Sequence, residues 1–231
     1  MAKGQPIQPR AESTRTAILK AAEAVFAEKG FVGCRLGEIA ERVNIRRPSI
    51  VYHFRDKRDL YDAVIEDLLG GLMARIKAAL AGDQPLGTRL EAVLLAGVTY
   101  LGERPSLARI VLREVAEASP ARNPVVMRHV TPIIAALQEA IRAGQRDGLL
   151  RPMDPIRFMF STAGATVFLI AGTPVLAPES PFDPLDGQQL AAHKAEALQM
   201  MRRWLGTRRR RSARPGKTKL GPRREVKRAG Q

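Results

Sequence analysis

Apolar residues along this chain recur at intervals of three and four, the spacing that places them on one face of an α-helix. No segment alternates convincingly between apolar and polar positions, so no strand is favoured. Glycine, asparagine and proline stand between the periodic segments, where helices usually end and begin. An all-α fold is therefore predicted, with helices near residues 14–29, 36–43, 47–54, 57–80, 86–103, 105–118, 124–146, 154–172 and 188–206.

Two short helices joined by a tight turn are predicted between Leu36 and Phe54. Asn44 follows the first of them, where a left-handed residue commonly ends a helix and asparagine tolerates that conformation. Pro48 suits the first turn of the second helix, because its missing N–H would have had no partner there. Ile50 and Val51 would face the first helix, which leaves the basic side chains on the opposite side. This arrangement is typical of a helix-turn-helix.

Charge is unevenly distributed along the 231 residues, whose formal net charge is +15. Residues 1–60 hold 12 basic and 7 acidic side chains, residues 61–206 hold 15 of each, and residues 207–231 hold 11 basic and 1 acidic. A neutral middle between two basic ends is not the pattern of a chain made basic only for solubility. It indicates a protein that binds nucleic acid, largely by neutralising phosphates.

The periodic residues and the turn also form a recognisable set of motifs. They are Ile18 to Phe26 with Gly30-Phe31, Glu38-Ile39-Ala40, Ile45, Pro48-Ser49-Ile50, Tyr52-His53-Phe54, Lys57 and Leu60. Over about residues 14 to 65 the chain resembles the tetracycline-repressor-like (TetR) transcriptional regulators. The resemblance implies that the helix carrying Pro48 to His53 enters the major groove, and that Tyr52 and Lys57 touch phosphate.

The chain departs from the family pattern at three positions. Arg35 stands where the family usually has the serine or threonine that caps a helix, a loss of ~1 kcal/mol unless Arg35 contacts phosphate instead. Asn44 replaces the usual glycine, and Val51 replaces a frequent tyrosine.

The basic and aromatic side chains of the second helix suit different DNA contacts. Arginine can hold guanine bidentately, whereas Tyr52 and His53 are better suited to positioning the protein on the duplex. The predicted DNA-binding residues are Arg35, Arg46, Arg47, Ser49, Tyr52, His53 and Lys57.

Two late helices carry more apolar surface than one neighbour can cover. The helix near 154–172 is apolar nearly all round, and the helix near 188–206 adds a second large stripe. The resemblance implies a homodimer in which they pair with their copies, on a palindromic operator in double-stranded DNA. An ordinary monomer core is the alternative interpretation.

The predicted domains are a flexible N-terminal arm (1–12), a helix-turn-helix domain (13–60), a ligand-binding and dimerisation domain (61–206) and a basic disordered tail (207–231).

The resemblance further implies a C-terminal helical regulatory and dimerisation bundle that holds a small-molecule effector of unknown identity. For each apolar candidate in its pocket, a simple core position is the alternative interpretation, and a solvated ion-pair face is the alternative for Arg109. The predicted ligand-binding residues are Val98, Thr99, Arg109, Met127, Phe158, Thr162 and Phe168.

Other classes of protein find little support in the chain. Its one cysteine, Cys34, excludes an internal disulfide and a zinc site of paired cysteines, and no signal peptide or membrane span is expected. No catalytic motif is present, so we expect a cytoplasmic protein with no enzymatic activity, cofactor or membrane partner. The expected function is a ligand-responsive dimeric repressor. A nonspecific architectural DNA-binding dimer without an effector is the alternative.

Overall fold

A computed structural model describes residues 7–117 and 124–206, with the side chains from Glu12 onward. Within these ranges the chain forms helices only, as the apolar spacing predicts. The predicted tail at 207–231 and the first residues of the predicted N-terminal arm lie outside the described residues. The helices are α1 (Ile7–Gly33), α2 (Leu36–Arg42), α3 (Arg47–His53), α4 (Lys57–Leu80), α5 (Leu86–Glu103), α6 (Pro105–Ala116), α7 (Pro124–Arg146), α8 (Pro155–Leu176) and α9 (Gly187–Leu205).

Helices α1 to α3 form a three-helix head in which α2 and α3 make the predicted helix-turn-helix. Asn44 adopts a left-handed conformation with φ 55°, which confirms the turn that asparagine was expected to make. Pro48 lies in the first turn of α3. Ile39 and Ile50 are fully buried between the helices, whereas Val51 is about half exposed and does not face α2 as predicted. One step of 100° separates neighbouring helix positions, so Val51 lies off the narrow buried face.

One hydrophobic core continues from the head into the rest of the chain. Phe26 of α1 packs edge-on against Tyr61 of α4, with ring centroids 4.8 Å apart. Leu68 of α4 and Ile110 of α6 belong to the same buried cluster. The side chain of Asp56 accepts a hydrogen bond from the Asp59 N–H in the first turn of α4 and so caps that helix. Helix α4 therefore belongs to the head and to the body at once.

A second core lies at the far end of the body, between α5, α7, α8 and α9. Leu90, Ile141, Phe158 and Leu205 are buried in it. Arg202 of α9 forms two hydrogen bonds with the Glu91 carboxylate of α5, at 2.8 and 2.7 Å. That pair lowers the pKa of Glu91 and ties the last helix to the bundle.

Two predicted boundaries need correction, and both involve proline. Helix α1 begins at Ile7, so residues 7–12 of the predicted flexible arm are helical. Pro9 falls in the first turn, where its missing N–H costs no hydrogen bond. Helix α8 continues through Pro174 to Leu176 rather than ending near residue 172. Pro174 lies in the last turn, so little of the helix follows the broken bond.

Helix α8 presents an uncovered apolar face. Its buried side packs against α5, α6 and α7. On the opposite side Phe160, Phe168 and Val175 are 61%, 57% and 76% exposed, and they lie in one line along the helix with Gly164. The helix is long and apolar enough to cross a membrane, and 22% of its most apolar stretch is buried in the fold. A single such helix is weak evidence for a membrane span, since a helix that another chain covers has the same composition.

Candidate nucleic-acid interface and ligand cavity

Helix α3 presents basic side chains to solvent because its apolar residues are held inward. Arg46 has an extended backbone conformation immediately before the helix, and Ser49 N–H donates to its carbonyl oxygen at 2.9 Å. Arg46 and Arg47 are exposed, and Ser49 is half-buried. Ile50 is fully buried beneath them, so the outward direction of the two arginines follows from the packing.

Tyr52 and His53 form an aromatic pair at the end of α3. Their rings meet edge to face with centroids 5.2 Å apart, and Tyr52 is 83% exposed. His53 is half-buried, so one edge of the exposed tyrosine ring is in contact with a side chain that is packed into the fold. The Tyr52 hydroxyl, at the end of a long exposed side chain, is suited to contact a phosphate oxygen and so to fix the register of the protein on a duplex.

Lys57 is less available than the sequence indicates. Its ammonium group donates to the carbonyl oxygens of Val32 and Cys34 at 3.3 and 3.1 Å, and lies 4.7 Å from the centre of the Phe31 ring. An ammonium has three N–H donors, so one remains for a phosphate. Lys57, the first residue of α4, thus links the C-terminal end of α1 to α4. Sequence reasoning missed this role because the acceptors come from a distant segment.

Arg35 stands at the start of α2 with an extended backbone and an exposed side chain, and no side chain caps that helix. The cap that the family usually has is therefore missing, as predicted. Nearby, Glu38 pairs with Lys29 at 2.6 Å and Arg42 bonds to Glu28 at 2.7 Å. These pairs hold α2 against α1, and the bond from Arg42 lowers the pKa of Glu28.

The body contains a cavity of about 290 Å³ between α4, α5, α6, α7 and α8, with one residue from α9. Its wall is made almost wholly of hydrocarbon side chains. The lining residues are Leu69, Leu72, Met73, Ile76, Leu90, Val93, Leu94, Gly97, Val98, Leu101, Leu107, Val111, Val130, Ile133, Ile134, Leu137, Met159, Phe160, Thr162, Ala163, Thr166, Val167 and Met201.

The predicted ligand-binding set only partly coincides with this wall. Val98 and Thr162 line the cavity. The other five, Thr99, Arg109, Met127, Phe158 and Phe168, lie elsewhere. Phe158 is buried in the second core near Trp204, and Phe168 is on the uncovered face of α8. Arg109 is exposed on α6. Each of the five belongs to a helix that contributes to the cavity wall, but its side chain lies on a different face of that helix. A sequence pattern does not specify which face of a helix meets which neighbour.

A polar cluster joins the head to the body. Arg104, between α5 and α6, donates from Nη2 to the Glu23 carboxylate of α1 at 2.5 Å and to Asp67 of α4 at 2.9 Å. The hydroxyl of Ser106 donates to the same Glu23 carboxylate. We call Glu23, Asp67, Arg104 and Ser106 the joint cluster. No sequence pattern indicates this cluster, because its members are far apart in the chain.

Helix α6 makes two further polar contacts, one with α4 and one with α1 of the head. Tyr61 of α4 donates from its hydroxyl to the Glu114 carboxylate at 2.5 Å, and Arg113 donates to the carbonyl oxygen of Glu28 at 2.9 Å. On the same helix, Leu107 and Val111 line the cavity. One face of α6 therefore touches the DNA-binding head while another forms cavity wall.

Comparisons with known proteins agree with this geometry. A model of bacterial regulatory proteins of the tetR family matches residues 18–64. The HTH-type transcriptional regulator RutR of Escherichia coli (strain K12) is 31% identical over 156 residues, covering 66% of this chain and 71% of RutR. The regulator UidR of the same strain is 26% identical over 151 residues, covering 63% and 74%. A solved regulatory protein of the tetR family from Rhodococcus is 24% identical with a TM-score of 0.62, covering 81% of this chain and 96% of that one.

Proposed function

The chain belongs to the TetR family of bacterial regulatory proteins, and on that premise we propose that it is a homodimeric repressor released from a palindromic operator by a small-molecule effector. As a member of this family it regulates transcription and binds DNA through its helix-turn-helix. The observation that supports the finer proposal is the position of α6. It forms cavity wall with Leu107 and Val111, touches α1 of the head through Arg113 and touches α4 through Glu114.

The proposed DNA contacts are divided between base edges and backbone. Arg46 and Arg47 are exposed on α3, where a guanidinium can hold guanine O6 and N7 bidentately. Tyr52, Arg35 and the remaining donor of Lys57 are placed around that helix for phosphates. Ser49 and His53 are half-buried at its edge, where the Ser49 hydroxyl would reach a base or phosphate and His53 would help to position the helix.

The proposed dimer interface is the uncovered face of α8 together with α9. Phe168 and Val175 form its apolar line together with Phe160, which also lines the cavity, and Trp204 and Met200 of α9 are also exposed. Contiguous exposed apolar surface of this kind marks an interaction site, and a two-fold axis would place each face against its own copy. A dimer also presents two recognition helices to half-sites about one helical turn, ~34–36 Å, apart.

An occupied cavity changes DNA affinity only if the ligand prefers one arrangement of the head over another. The joint cluster and the two polar contacts of α6 restrict how the head can sit on the body. A ligand that displaces Leu107 or Val111 therefore shifts α6, and with α6 the two recognition helices. The distance between the two recognition helices would then differ between the ligand-free and the ligand-bound dimer, and this difference is the proposed basis of release from the operator.

Selection of bound genomic fragments followed by fluorescence anisotropy on the selected site tests the DNA-binding part. Arg47→Ala should weaken binding to the selected site by about 10- to 100-fold. Arg146→Ala, which removes the same charge from α7, is the control and should change affinity little. At ~0.15 M salt the selected site should bind about 1,000-fold more tightly than random DNA. A ratio near one would instead favour the architectural alternative.

Sedimentation equilibrium tests the dimer. Phe168→Glu places a charge in the middle of the proposed interface and should yield a folded monomer that binds the palindrome poorly. Leu149→Glu changes an exposed leucine outside α8 and α9 and should leave the dimer intact. Dimers in the Phe168→Glu variant would contradict the proposed interface.

A further inference from the structure

The cavity wall has almost no polar surface. Two of its 23 lining residues, Thr162 and Thr166, carry a side chain that can form a hydrogen bond, and none carries a charge. None of the four residues of the joint cluster lines the cavity. A charged ligand group would therefore lose its water without gaining a partner of opposite charge.

Both threonine hydroxyls already have partners. Thr162 Oγ1 donates within α8 to the carbonyl oxygens of Phe158 and Met159, at 3.0 and 3.1 Å. Thr166 Oγ1 lies 3.1 Å from Nε2 of His193 on α9 and is 1% exposed. Burial lowers the pKa of His193, so that partner is a neutral imidazole. What Thr162 still offers a ligand is a lone pair, which can accept one hydrogen bond but cannot donate one.

The volume limits the size of the ligand. An engineered cavity of about 150 Å³ lined by leucine, isoleucine and phenylalanine stays dry and accepts benzene. At about 290 Å³ this cavity has roughly twice that room. Two or three fused or linked rings, or an aliphatic compound of similar bulk, would fill it.

We propose that the cavity takes an uncharged, mainly hydrocarbon molecule of two or three rings, or equivalent bulk, with at most one or two hydrogen-bonding groups. Alcohols, phenols and amides or arylamines with one N–H suit the lone pair of Thr162. A carboxylate, phosphate or ammonium group placed among the lining side chains is excluded. This inference rests on the proposed function, because such a molecule would be the effector that releases DNA.

A matched pair of fluorescent probes tests the chemical class on the full chain. N-phenyl-1-naphthylamine is uncharged, has one N–H and becomes fluorescent in apolar surroundings. Its sulfonated analogue, 8-anilinonaphthalene-1-sulfonate, keeps the same rings and adds a permanent negative charge. In the cavity the neutral probe should bind at least about 100-fold more tightly than the sulfonate.

Cavity binding is separated from surface binding by a variant that fills the cavity. Gly97 lines the wall from α5, and a Cβ placed there would meet nothing within 4 Å, so the branch of Gly97→Leu begins in open space and adds volume to the cavity. Gly82→Leu adds the same side chain in open space after α4 and is the control. If circular dichroism shows that Gly97→Leu does not fold, Ala163→Leu fills the cavity from α8 instead.

The expected result is tight binding of the neutral probe that Gly97→Leu weakens by about tenfold or more and Gly82→Leu does not. Sulfonate binding that Gly97→Leu removes equally, at an affinity like that of the neutral probe, would overturn the inference. So would neutral-probe binding that neither filling variant weakens.

Operator release is measured in parallel, so that the two proposals fail in different ways. Neutral-probe binding in the cavity with no effect on operator affinity would contradict the effector mechanism and leave the ligand class standing. Release of the operator by the charged analogue, abolished by Gly97→Leu, would support the mechanism and overturn the class.

Discussion

Replacing Arg104 by methionine should loosen the joint between the DNA-binding head and the body. The substitution keeps an unbranched side chain of similar length and removes the donors to Glu23 and Asp67. The Glu23 side chain is only 14% exposed, so water can replace the lost guanidinium in part only. Ser106 would remain as its one donor within the joint cluster.

The size of the effect lies between two limits. Exposed ion pairs contribute about 0–1 kcal/mol, and removing one partner of a fully buried pair costs about 3–5 kcal/mol. Since the Arg104 side chain is 33% exposed, we expect Arg104→Met to lower the free energy of unfolding by about 2 kcal/mol. Glu23→Gln should cost about 1 kcal/mol, because its amide oxygen still accepts and Arg104 keeps Asp67. The double variant should show a coupling of about 1 kcal/mol.

Urea denaturation of the four proteins measures the coupling, at one protein concentration because the stability of a dimer depends on it. The control cycle uses Glu139→Gln and Arg146→Met on α7. That pair has the same chemistry at 2.8 Å, but its side chains are 65% and 63% exposed, so its coupling should vanish within error. Equal couplings in the two cycles, or strictly additive losses in the joint cluster, would refute the argument that burial of Glu23 makes this contact strong.

Three further predictions concern the head. Asp56→Ala removes the oxygen that accepts a backbone N–H at the start of α4 and should lower the free energy of unfolding by about 1 kcal/mol in urea titrations, whereas Asp56→Asn should retain most of it. Lys57→Met should lower both the thermal midpoint and DNA affinity, since its ammonium bonds two carbonyls of the fold, while Arg46→Ala should lower DNA affinity alone; equal midpoints for the two variants would contradict this. Burial, assisted by the bond to Glu114, raises the pKa of Tyr61 far above its usual range. Stability is then complete below about pH 10 and falls as pH rises further, because the unfolded tyrosine ionises first. Burial also raises the pKa of Tyr100. In a Tyr52→Phe variant, which keeps Tyr61 and Tyr100 of the three tyrosines, absorbance at high pH should therefore report tyrosine ionisation only as the circular dichroism signal is lost. Ionisation of a still-folded protein would count against the burial of one of these two side chains.

Local chemistry explains why the head could be predicted closely. The turn at Asn44 and the start of α3 at Pro48 each depend on residues within one helical turn, so the sequence contains all the groups involved. The outward direction of Arg46 and Arg47 follows from the periodicity around Ile50 in the same way. The predicted helix ends were wrong at the start of α1 and the end of α8, where Pro9 and Pro174 are tolerated in terminal turns.

Helical periodicity and turn chemistry act over a few residues, so they specify an all-α chain, its helix-turn-helix, the exposed basic side chains of α3 and an excess of apolar area on α8. Packing of the whole chain is needed to set which sides of the body helices enclose the cavity, and it places Thr162 in the wall and Phe168 outside. It also brought Arg104 to Glu23 across 81 residues and turned the Lys57 ammonium toward two carbonyls. Such contacts depend on how helices rotate and cross when they pack, which no local pattern specifies.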